Sequence, residues 1–174
     1  MRDVLIATLL ACFAFGDALA GSAVTIATPV RIDGVGPIKV GMTLAEAERA
    51  AGAQLVFDHP EEPVNQCTIA RLKGGPKDFE FMLMARTIVR VGIFEIGVKT
   101  AEGAGVGTSE DEVKRLYANA KIEVSNHAYV DGHYLEVTMP GYANLRYIFE
   151  TYGKKVTAFR AGRLPEVGFI EGCA

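Results

Sequence analysis

Apolar residues along the chain follow two different periods, which separate two short helices from several strands. In two segments they recur at spacings of three and four residues, which gives an amphipathic helix one buried stripe. The pattern predicts a first helix over residues 44–51, ended by Gly52, and a second over residues 110–118, ended by Asn119. The apolar positions of the two stripes are Leu44, Ala47, Ala50 and Ala51 in the first helix and Val113, Leu116 and Tyr117 in the second.

After each predicted helix the period changes to two, as in strands that bury one face. Residues 145–151 and 155–160 alternate apolar and polar side chains around a Tyr-Gly-Lys turn at 152–154, which predicts a hairpin. Residues 79–96 predict a similar hairpin that turns near residues 85–87. The chain is therefore expected to be an α+β protein in which a short helix and an antiparallel meander of three to four strands occur twice.

The openings of the two predicted helices have nearly the same sequence. Residues 40–49 read VGMTLAEAER, and residues 106–115 read VGTSEDEVKR. In each opening a hydroxyl residue is followed three positions later by glutamate, which predicts a capping box on the first backbone N–H groups of the helix. The four predicted capping residues are Thr43 and Glu46 in the first helix and Ser109 and Glu112 in the second.

Sequence blocks after the two helices also match in order, at a nearly constant offset of 66 or 67 residues. CTIARLK at 67–73 corresponds to HYLEVTM at 133–139, and FMLMARTIVRVGIF at 81–94 corresponds to IFETYGKKVTAFRA at 148–161. We therefore predict two tandem repeats. The expected boundaries are an N-terminal extension at 21–34, repeat one at 35–99, a linker at 100–107, and repeat two with a tethered tail at 108–174.

The Gly-Met-Thr-x-x-Glu opening at residues 41–46, followed by a helix and a strand meander, resembles a group of exported bacterial modules. These are the β-lactamase-inhibitory-protein-like repeats and the related small outer-membrane assembly lipoproteins. The resemblance covers residues 35–167 and implies a continuous concave sheet built from two copies. Those inhibitors usually carry a disulfide inside each repeat, whereas this chain offers no such pair. No functional residue of either group maps onto this sequence.

The first twenty residues have the features of a secretory signal peptide. Arg2 provides a positive start, an uncharged apolar run follows over residues 4–15, and Ala-Leu-Ala at 18–20 is a small-residue cleavage pattern. We expect cleavage after Ala20, which places the mature protein in the periplasm or outside the cell. Lipoprotein processing at Cys12 is the less favoured alternative. We expect no transmembrane segment in the mature chain.

The two cysteines that remain after signal cleavage, Cys67 and Cys173, are expected to form a disulfide. Pairing is the simplest outcome for two cysteines in an oxidising compartment, and the chain contains no Cys-x-x-Cys motif that would indicate redox chemistry. The bond would close a loop of more than a hundred residues and hold the C-terminal tail in place.

The charge of the mature chain argues against two classes of partner. Removal of residues 1–20 takes away Arg2, Asp3 and Asp17, which leaves 17 basic and 19 acidic side chains and a net charge of −2. Nucleic-acid binding needs a clustered basic face, and binding to a membrane surface needs a basic amphipathic helix. We therefore expect neither kind of partner.

His127 and His133, with Asp131 between them, are the only clustered candidates for metal binding or hydrolysis. Zinc usually needs three or four close ligands, and the third histidine of the chain, His59, belongs to the other predicted repeat. The segment VDGH at residues 130–133 is also typical of a hairpin turn. We predict no catalytic residue, no metal and no cofactor, with a small periplasmic hydrolase or metal-binding protein that uses these two histidines as the alternative.

The tyrosines are distributed unevenly and provide the best candidates for binding. All six lie between residues 117 and 152, and none lies in the first predicted repeat. Tyr129, Tyr134 and Tyr142 lie in or beside predicted turns, where they can contact a protein partner or fill the interface between the repeats. The sequence thus favours a non-catalytic, exported protein-binding module, such as an enzyme inhibitor or an assembly factor. A purely structural envelope protein is a further alternative.

Overall fold

The computed structural model describes residues 24–60 and 66–173 of the 174-residue chain. The predicted signal peptide at 1–20 and the alternative lipidation site at Cys12 lie outside these residues. Over the described residues, no helix is both long enough and apolar enough to cross a membrane.

The described residues form an α+β fold with two antiparallel sheets and two short α-helices, which confirms the predicted class. The helices are α1 (Leu44–Ala51) and α2 (Glu110–Leu116), and a single 3-10 turn covers Glu166–Gly168. The small sheet contains β1 (Val30–Arg31), β2 (Gly34–Val35) and β3 (Ile38–Lys39). The large sheet contains β4 (Leu55–Phe57), β5 (Cys67–Leu72), β6 (Phe79–Met84), β7 (Thr87–Ile93), β8 (Lys121–Asn126), β9 (His133–Thr138), β10 (Leu145–Tyr152) and β11 (Lys155–Arg163).

The large sheet consists of two four-stranded meanders that meet in its middle. Its strand order is β4-β5-β6-β7-β11-β10-β9-β8, so each strand within a meander pairs with its neighbour in sequence. The meanders join through β7 and β11, where Val91 lies opposite Ala161. One helix precedes each meander along the chain, because α1 comes before β4 and α2 comes before β8.

The helices and the small sheet cover one face of the large sheet, which we call the inner face. Alternate strand residues point into this core, as the period of two predicts. Tyr117, at the end of α2, packs its ring 5.5 Å from the ring of Tyr147 and 5.6 Å from that of Phe149. The other aromatic residues of the core are Phe79, Phe81 and Phe159, all of them buried.

The start of α1 is hydrogen-bonded to the hairpin of its own meander. Gly41 donates its N–H to the carbonyl oxygen of Ile88 at 2.8 Å, and Ile88 donates to Met42 at 2.8 Å. Leu44, the first helical residue, donates to Arg86 in the turn at 2.7 Å. Gly41 has a φ of +95°, which a residue with a side chain rarely adopts. The Val-Gly motif thus supplies the backbone conformation that brings the helix to the hairpin.

The start of α2 makes the same set of bonds. Gly107 donates to the carbonyl oxygen of Val156 at 2.8 Å, Val156 donates to Thr108 at 2.8 Å, and Glu110 donates to Lys154 at 3.0 Å. Gly107 has a φ of +91°, close to that of its counterpart before α1. Both occurrences of the sequence motif therefore make the same structural connection.

Both predicted hairpins are present, with two-residue turns of the same kind. Ala85 and Arg86 have φ angles of +47° and +62°, and Gly153 and Lys154 have φ angles of +54° and +63°. Left-handed conformations at both central residues match the right-handed twist of the flanking strands. The first turn has this geometry without a glycine, which explains why its sequence is less typical of a hairpin.

The two helix caps differ in one respect from the prediction. Thr43 and Glu46 form the complete capping box, since the Thr43 side chain accepts from the N–H of Glu46 and the Glu46 carboxylate accepts from the N–H of Thr43. Ser109 accepts from the N–H of Glu112 at 3.2 Å. The Glu112 carboxylate instead pairs with Arg115 at 2.5 Å, one turn along the helix. The predicted second capping box is therefore only half formed.

The second helix is also shorter than predicted, because it ends at Leu116 rather than residue 118. α1 ends at Gly52, whose left-handed conformation allows its N–H to return to the last turn. α2 has no glycine at the corresponding position. Its chain leaves the helix at Tyr117, whose buried ring is fixed in the core.

The described part of the predicted extension, residues 24–34, packs against the predicted linker at 100–107. Val30 donates its N–H to the carbonyl oxygen of Lys99 and accepts from Ala101. Thr100 and Ala104 are buried. The two-residue strands of the small sheet are too short to produce a periodic pattern, so the sequence does not predict them.

Candidate functional site

The C-terminal tail, residues 164–173, crosses the face of the large sheet opposite the helices, which we call the outer face. The tail ends in the predicted disulfide, in which Cys173 is bonded to Cys67 on β5 with a Cα–Cα distance of 5.3 Å. Val167 packs against Tyr134 and Ile148 in a small apolar cluster that is separate from the main core. The tail therefore forms a covalently anchored cover over the outer face.

Two buried arginines hold the tail to the sheet. Arg90 on β7 donates to the carbonyl oxygen of Phe169 at 2.8 Å, and Arg160 on β11 donates to that of Val167 at 2.5 Å. Neither guanidinium is accessible to solvent to a significant degree. Burial, together with repulsion from Arg160, lowers the pKa of Arg90 to about 10 despite the nearby carboxylates. Arg90 therefore remains a cation at neutral pH.

Carboxylates on neighbouring strands balance these two charges. Glu80 lies 3.7 Å from Arg90 and 2.9 Å from Arg71, and Glu150 forms an ion pair with Arg160. Buried charges need partners of this kind, because desolvation of an unpaired ion costs several kcal/mol. The outer face under the tail therefore combines a polar network with the small apolar cluster around Val167.

Three of the predicted binding residues meet at the edge of this network. The ring of His127 stacks on that of Tyr134, with 4.4 Å between ring centroids, and its Nε2 atom lies 3.6 Å from the Glu150 carboxylate. Tyr129 approaches His127 edge-on at 6.2 Å and donates its hydroxyl to Glu171 of the tail at 2.5 Å. The β8–β9 loop is thus joined to the tail.

The β8–β9 loop and residues 169–171 of the tail, which the Tyr129–Glu171 hydrogen bond joins, expose large apolar side chains that we call the loop–tail surface. Tyr129 is 66% exposed, and the others are between 38% and 45% exposed. Exposed apolar groups at one place on a folded domain commonly mark a contact site. The four side chains of the loop–tail surface are Tyr129, Val130, Phe169 and Ile170.

Tyr134 is buried below this surface, and its hydroxyl has no hydrogen-bond partner among the described residues. Replacement by phenylalanine is therefore expected to leave the free energy of unfolding within about 0.5 kcal/mol of wild type or to raise it. Tyr117→Phe is a matched control, because the Tyr117 hydroxyl donates to Thr100 at 2.7 Å and lies 2.9 Å from Glu102. Tyr117→Phe is expected to lower the free energy of unfolding by about 1–2 kcal/mol, as measured by urea denaturation. Equal costs for the two variants would contradict this assignment.

Tyr142, the third predicted binding tyrosine, does not join the others. It lies in the β9–β10 turn, whereas Tyr129 lies in the β8–β9 loop at the opposite end of β9. The strand between them has six residues and spans about 20 Å. Tyr142 is exposed but belongs to a different part of the surface.

His133 lies on the inner side of the sheet, away from His127. Its Nδ1 atom is 2.7 Å from the Glu110 carboxylate, which also accepts from the Thr151 hydroxyl at 2.8 Å. Consecutive strand residues point to opposite faces, so His133 faces away from Tyr134 and the ring stacked on it. The two histidines therefore pair with different carboxylates and do not form the common site that the sequence suggested.

The surroundings of His133 offer little for catalysis. The residue borders a shallow depression of about 250 Å³, which also contains Lys114 and Lys154. The Thr151 hydroxyl is fully buried and committed to the Glu110 carboxylate, so it is not placed as a nucleophile. Over the described residues, no group of three or more histidine, cysteine, aspartate or glutamate side chains is arranged to hold a metal ion.

Glu110 is expected to make the protein sensitive to acid. Burial opposes ionisation of this carboxyl, but hydrogen bonds from His133 and Thr151 outweigh it and lower its pKa from the ordinary 4.5. The folded state therefore binds a proton less readily than the unfolded state. The stabilisation is complete above about pH 4.5 and is lost as the pH falls through the lowered pKa.

The variant that tests this pH dependence is Glu110→Gln, which keeps the shape of the side chain. It is expected to lower the free energy of unfolding by about 1 kcal/mol at pH 7 and to have less effect at pH 3, which lies below the ordinary pKa of 4.5 that the carboxyl has in the unfolded chain. Urea denaturation at several pH values measures this difference. An equal loss at pH 7 and pH 3 would show that the ionised form is not the stabilising one.

The arginine and glutamate side chains under the tail were not identified from the sequence. A signal for them is present, because residues 87–92 read TIVRVG and residues 157–162 read TAFRAG. Arg90 and Arg160 occupy the same position in these strands, and each is followed two residues later by a glycine that lies opposite the other arginine. This match has an offset of 70 residues, whereas the predicted repeats align the same strands at an offset of 67.

Comparisons with known proteins identify a similar fold. No protein-family model matches the chain, and no curated protein matches it. Among solved structures, the chain is similar to the crystal structure of the uncharacterized protein yfeY from Escherichia coli. The two share 18% sequence identity and a TM-score of 0.50, and the match covers 78% of this chain and 100% of that one. At this level of identity the similarity concerns the fold alone.

Proposed function

We propose that the protein is an exported, non-catalytic module of the bacterial envelope that binds another protein through its loop–tail surface. The observation that carries the proposal is the exposure of Tyr129, Val130, Phe169 and Ile170 on two segments that are fastened together. Tyrosine is one of the residues that most often provide the binding energy in protein interfaces, and the apolar groups around it exclude water.

The rigidity of this surface favours the same conclusion. The tail is held by the Cys67–Cys173 bond and by Arg90 and Arg160, and the loop is held by the stack of His127 on Tyr134. A surface that is already ordered loses less conformational entropy on binding than a mobile one. Four apolar groups would otherwise be a disadvantage on a protein that must remain in solution.

The test is a photo-crosslinking amino acid placed at Tyr129 in the protein expressed in its native host. It is expected to yield one crosslinked protein species, identified by mass spectrometry. Tyr142 is the matched control, because it is also an exposed tyrosine but lies at the other end of β9. Equal crosslinking at both positions, or none at Tyr129, would argue against the loop–tail surface as the binding site. Absence of any partner would favour a purely structural role.

The fold is further proposed to consist of two tandem copies of one unit, in which a capped helix is hydrogen-bonded to the hairpin of a four-stranded meander. The corresponding bonds of Gly41 and Gly107 and the two turns of the same type support this proposal. It would also agree with the resemblance to β-lactamase-inhibitory-protein-like repeats.

Gly41→Ala and Gly107→Ala are expected to lower the free energy of unfolding by similar amounts, about 1–2 kcal/mol each, because both positions need a left-handed φ. Urea denaturation measures both values. Strongly unequal costs would argue against equivalent units.

Export is part of the same proposal and has its own test. If the chain is cleaved as its sequence predicts, the mature protein recovered from the periplasm begins at Gly21. Mass spectrometry of the purified protein measures this directly. An acylated N-terminus at Cys12 would instead establish the lipoprotein alternative.

A further inference from the structure

β8 forms one edge of the large sheet and is well suited to pair with another strand. Its six residues pair with β9 without interruption, and its other side has no neighbouring strand within the described part of the chain. Five of the six residues are exposed. The strand contains no proline and no bulge, which are two of the features that commonly prevent an edge from pairing, and its charged residues, Lys121 and Glu123, are of opposite sign.

The direction of the free backbone groups follows from the hydrogen bonds of β9. His127 donates its N–H to Gly132 at 2.9 Å, which marks this pair as one that bonds across the β8–β9 ladder. Because such pairs alternate along an antiparallel ladder, the N–H and C=O groups of the even-numbered residues point away from β9. His133, which lies opposite Asn126, follows the same alternation: its N–H points away from β8 and donates to the Thr151 hydroxyl. The outward-facing backbone groups of β8 therefore belong to Ile122, Val124 and Asn126.

This row of three residues is complementary to itself under a two-fold rotation. An antiparallel partner centred on Val124 places Val124 opposite Val124 and Ile122 opposite Asn126, so every outward N–H and C=O group finds a partner. Glu123 then lies opposite Ser125, whose hydroxyl can donate to the carboxylate. A rotation centred on Glu123 would place two carboxylates opposite each other. One centred on Ile122 would leave Asn126 opposite Ala118, in the turn after α2.

We propose that β8 pairs with β8 of a second copy of this chain, with the two-fold axis at Val124. Val124 is 47% exposed in the single chain, and the pairing buries it against its counterpart. The contact is isologous, so it closes after two copies and joins the two large sheets into one of sixteen strands. It is also small, so the dimer is expected to dissociate reversibly in the micromolar range.

In the proposed dimer Val124 lies on the two-fold axis, so it faces Val124 of the second copy. Val124→Lys and Val124→Glu each place like charges opposite each other, and each is expected to weaken the dimer by about tenfold or more. An equal mixture of the two variants places lysine opposite glutamate and is expected to restore dimers to within about threefold of wild type. Sedimentation velocity over about 5–500 μM measures the association.

Val56→Lys is the matched control, because Val56 is 51% exposed and lies on β4, the opposite edge of the same sheet. This variant is expected to dimerise like wild type. A wild-type protein that stays monomeric over the whole range would overturn the proposal. So would dimers that tolerate Val124→Lys, a mixture that fails to recover, or a control that dissociates equally. Thermal melting of each variant shows that the monomers remain folded.

Discussion

Replacement of both Cys67 and Cys173 by serine is expected to lower the free energy of unfolding by about 4–5 kcal/mol. The bond links residues 106 positions apart, and closing a loop of this length removes much of the entropy of the unfolded chain. Its loss also frees the tail, whose contacts with Arg90 and Arg160 no longer have a covalent anchor. Urea denaturation of the variant and the wild type measures the difference in stability.

Reduction of the wild-type protein provides the control for this prediction. Wild type in excess dithiothreitol is expected to unfold at the same urea concentration as the double serine variant, and dithiothreitol is expected to have no effect on the variant. A loss below about 1 kcal/mol would mean that the unfolded chain gains little freedom when the bond is absent. Amide hydrogen exchange of residues 164–172 is expected to accelerate more than that of β10 or β11.

Arg160→Ala is expected to lower the free energy of unfolding by about 3–5 kcal/mol, because it leaves the mostly buried Glu150 without its main partner. His127 is the remaining basic group near that carboxylate, at 3.6 Å. The substitution also removes the donor to the carbonyl oxygen of Val167 and the cation that lies 5.9 Å from the Tyr134 ring. Urea denaturation at pH 7 measures the loss.

A double variant separates the ion pair from the packing of its side chains. Arg160→Met combined with Glu150→Leu removes both charges and keeps most of the volume, so it is expected to recover at least half of the stability lost in the single variant. Arg115→Ala is the control for a pair at the surface, and no measurable change is expected, because solvent screens the Arg115–Glu112 pair. If Arg160→Ala lowers the free energy of unfolding only slightly, Glu150 is adequately solvated without the arginine.

The sequence predicted the parts of the fold that depend on neighbouring residues. α1 begins after Thr43 and ends at Gly52 because the cap and the left-handed glycine act within one turn of the helix. The hairpin at Gly153-Lys154 is also predicted correctly, since the turn residues and the flanking alternation are local. The end of α2 was misplaced because the core position of Tyr117 decides it rather than a local stop signal.

The parts that depend on distant residues were not predicted. Arg90 and Arg160 alternate with apolar residues and therefore resemble solvated positions on a half-exposed strand. They are buried because a tail far along the sequence covers them, and the alternation of a strand contains no information about such a cover. The two histidines illustrate the same limit, since their closeness in sequence suggested a shared site while the strand places them on opposite faces.

The disulfide also determines how the molecule transmits mechanical force. Residues 67–173 form a covalent ring, which contains α2 and all strands from β5 to β11. Tension applied between the segment before β1 and Cys173 reaches the ring at Cys67 and leaves it through the sulfur–sulfur bond. Such a pull can extend only the part of the chain before Cys67, which includes the small sheet, α1 and β4. The loop–tail surface therefore remains assembled under loads that unravel the first third of the chain.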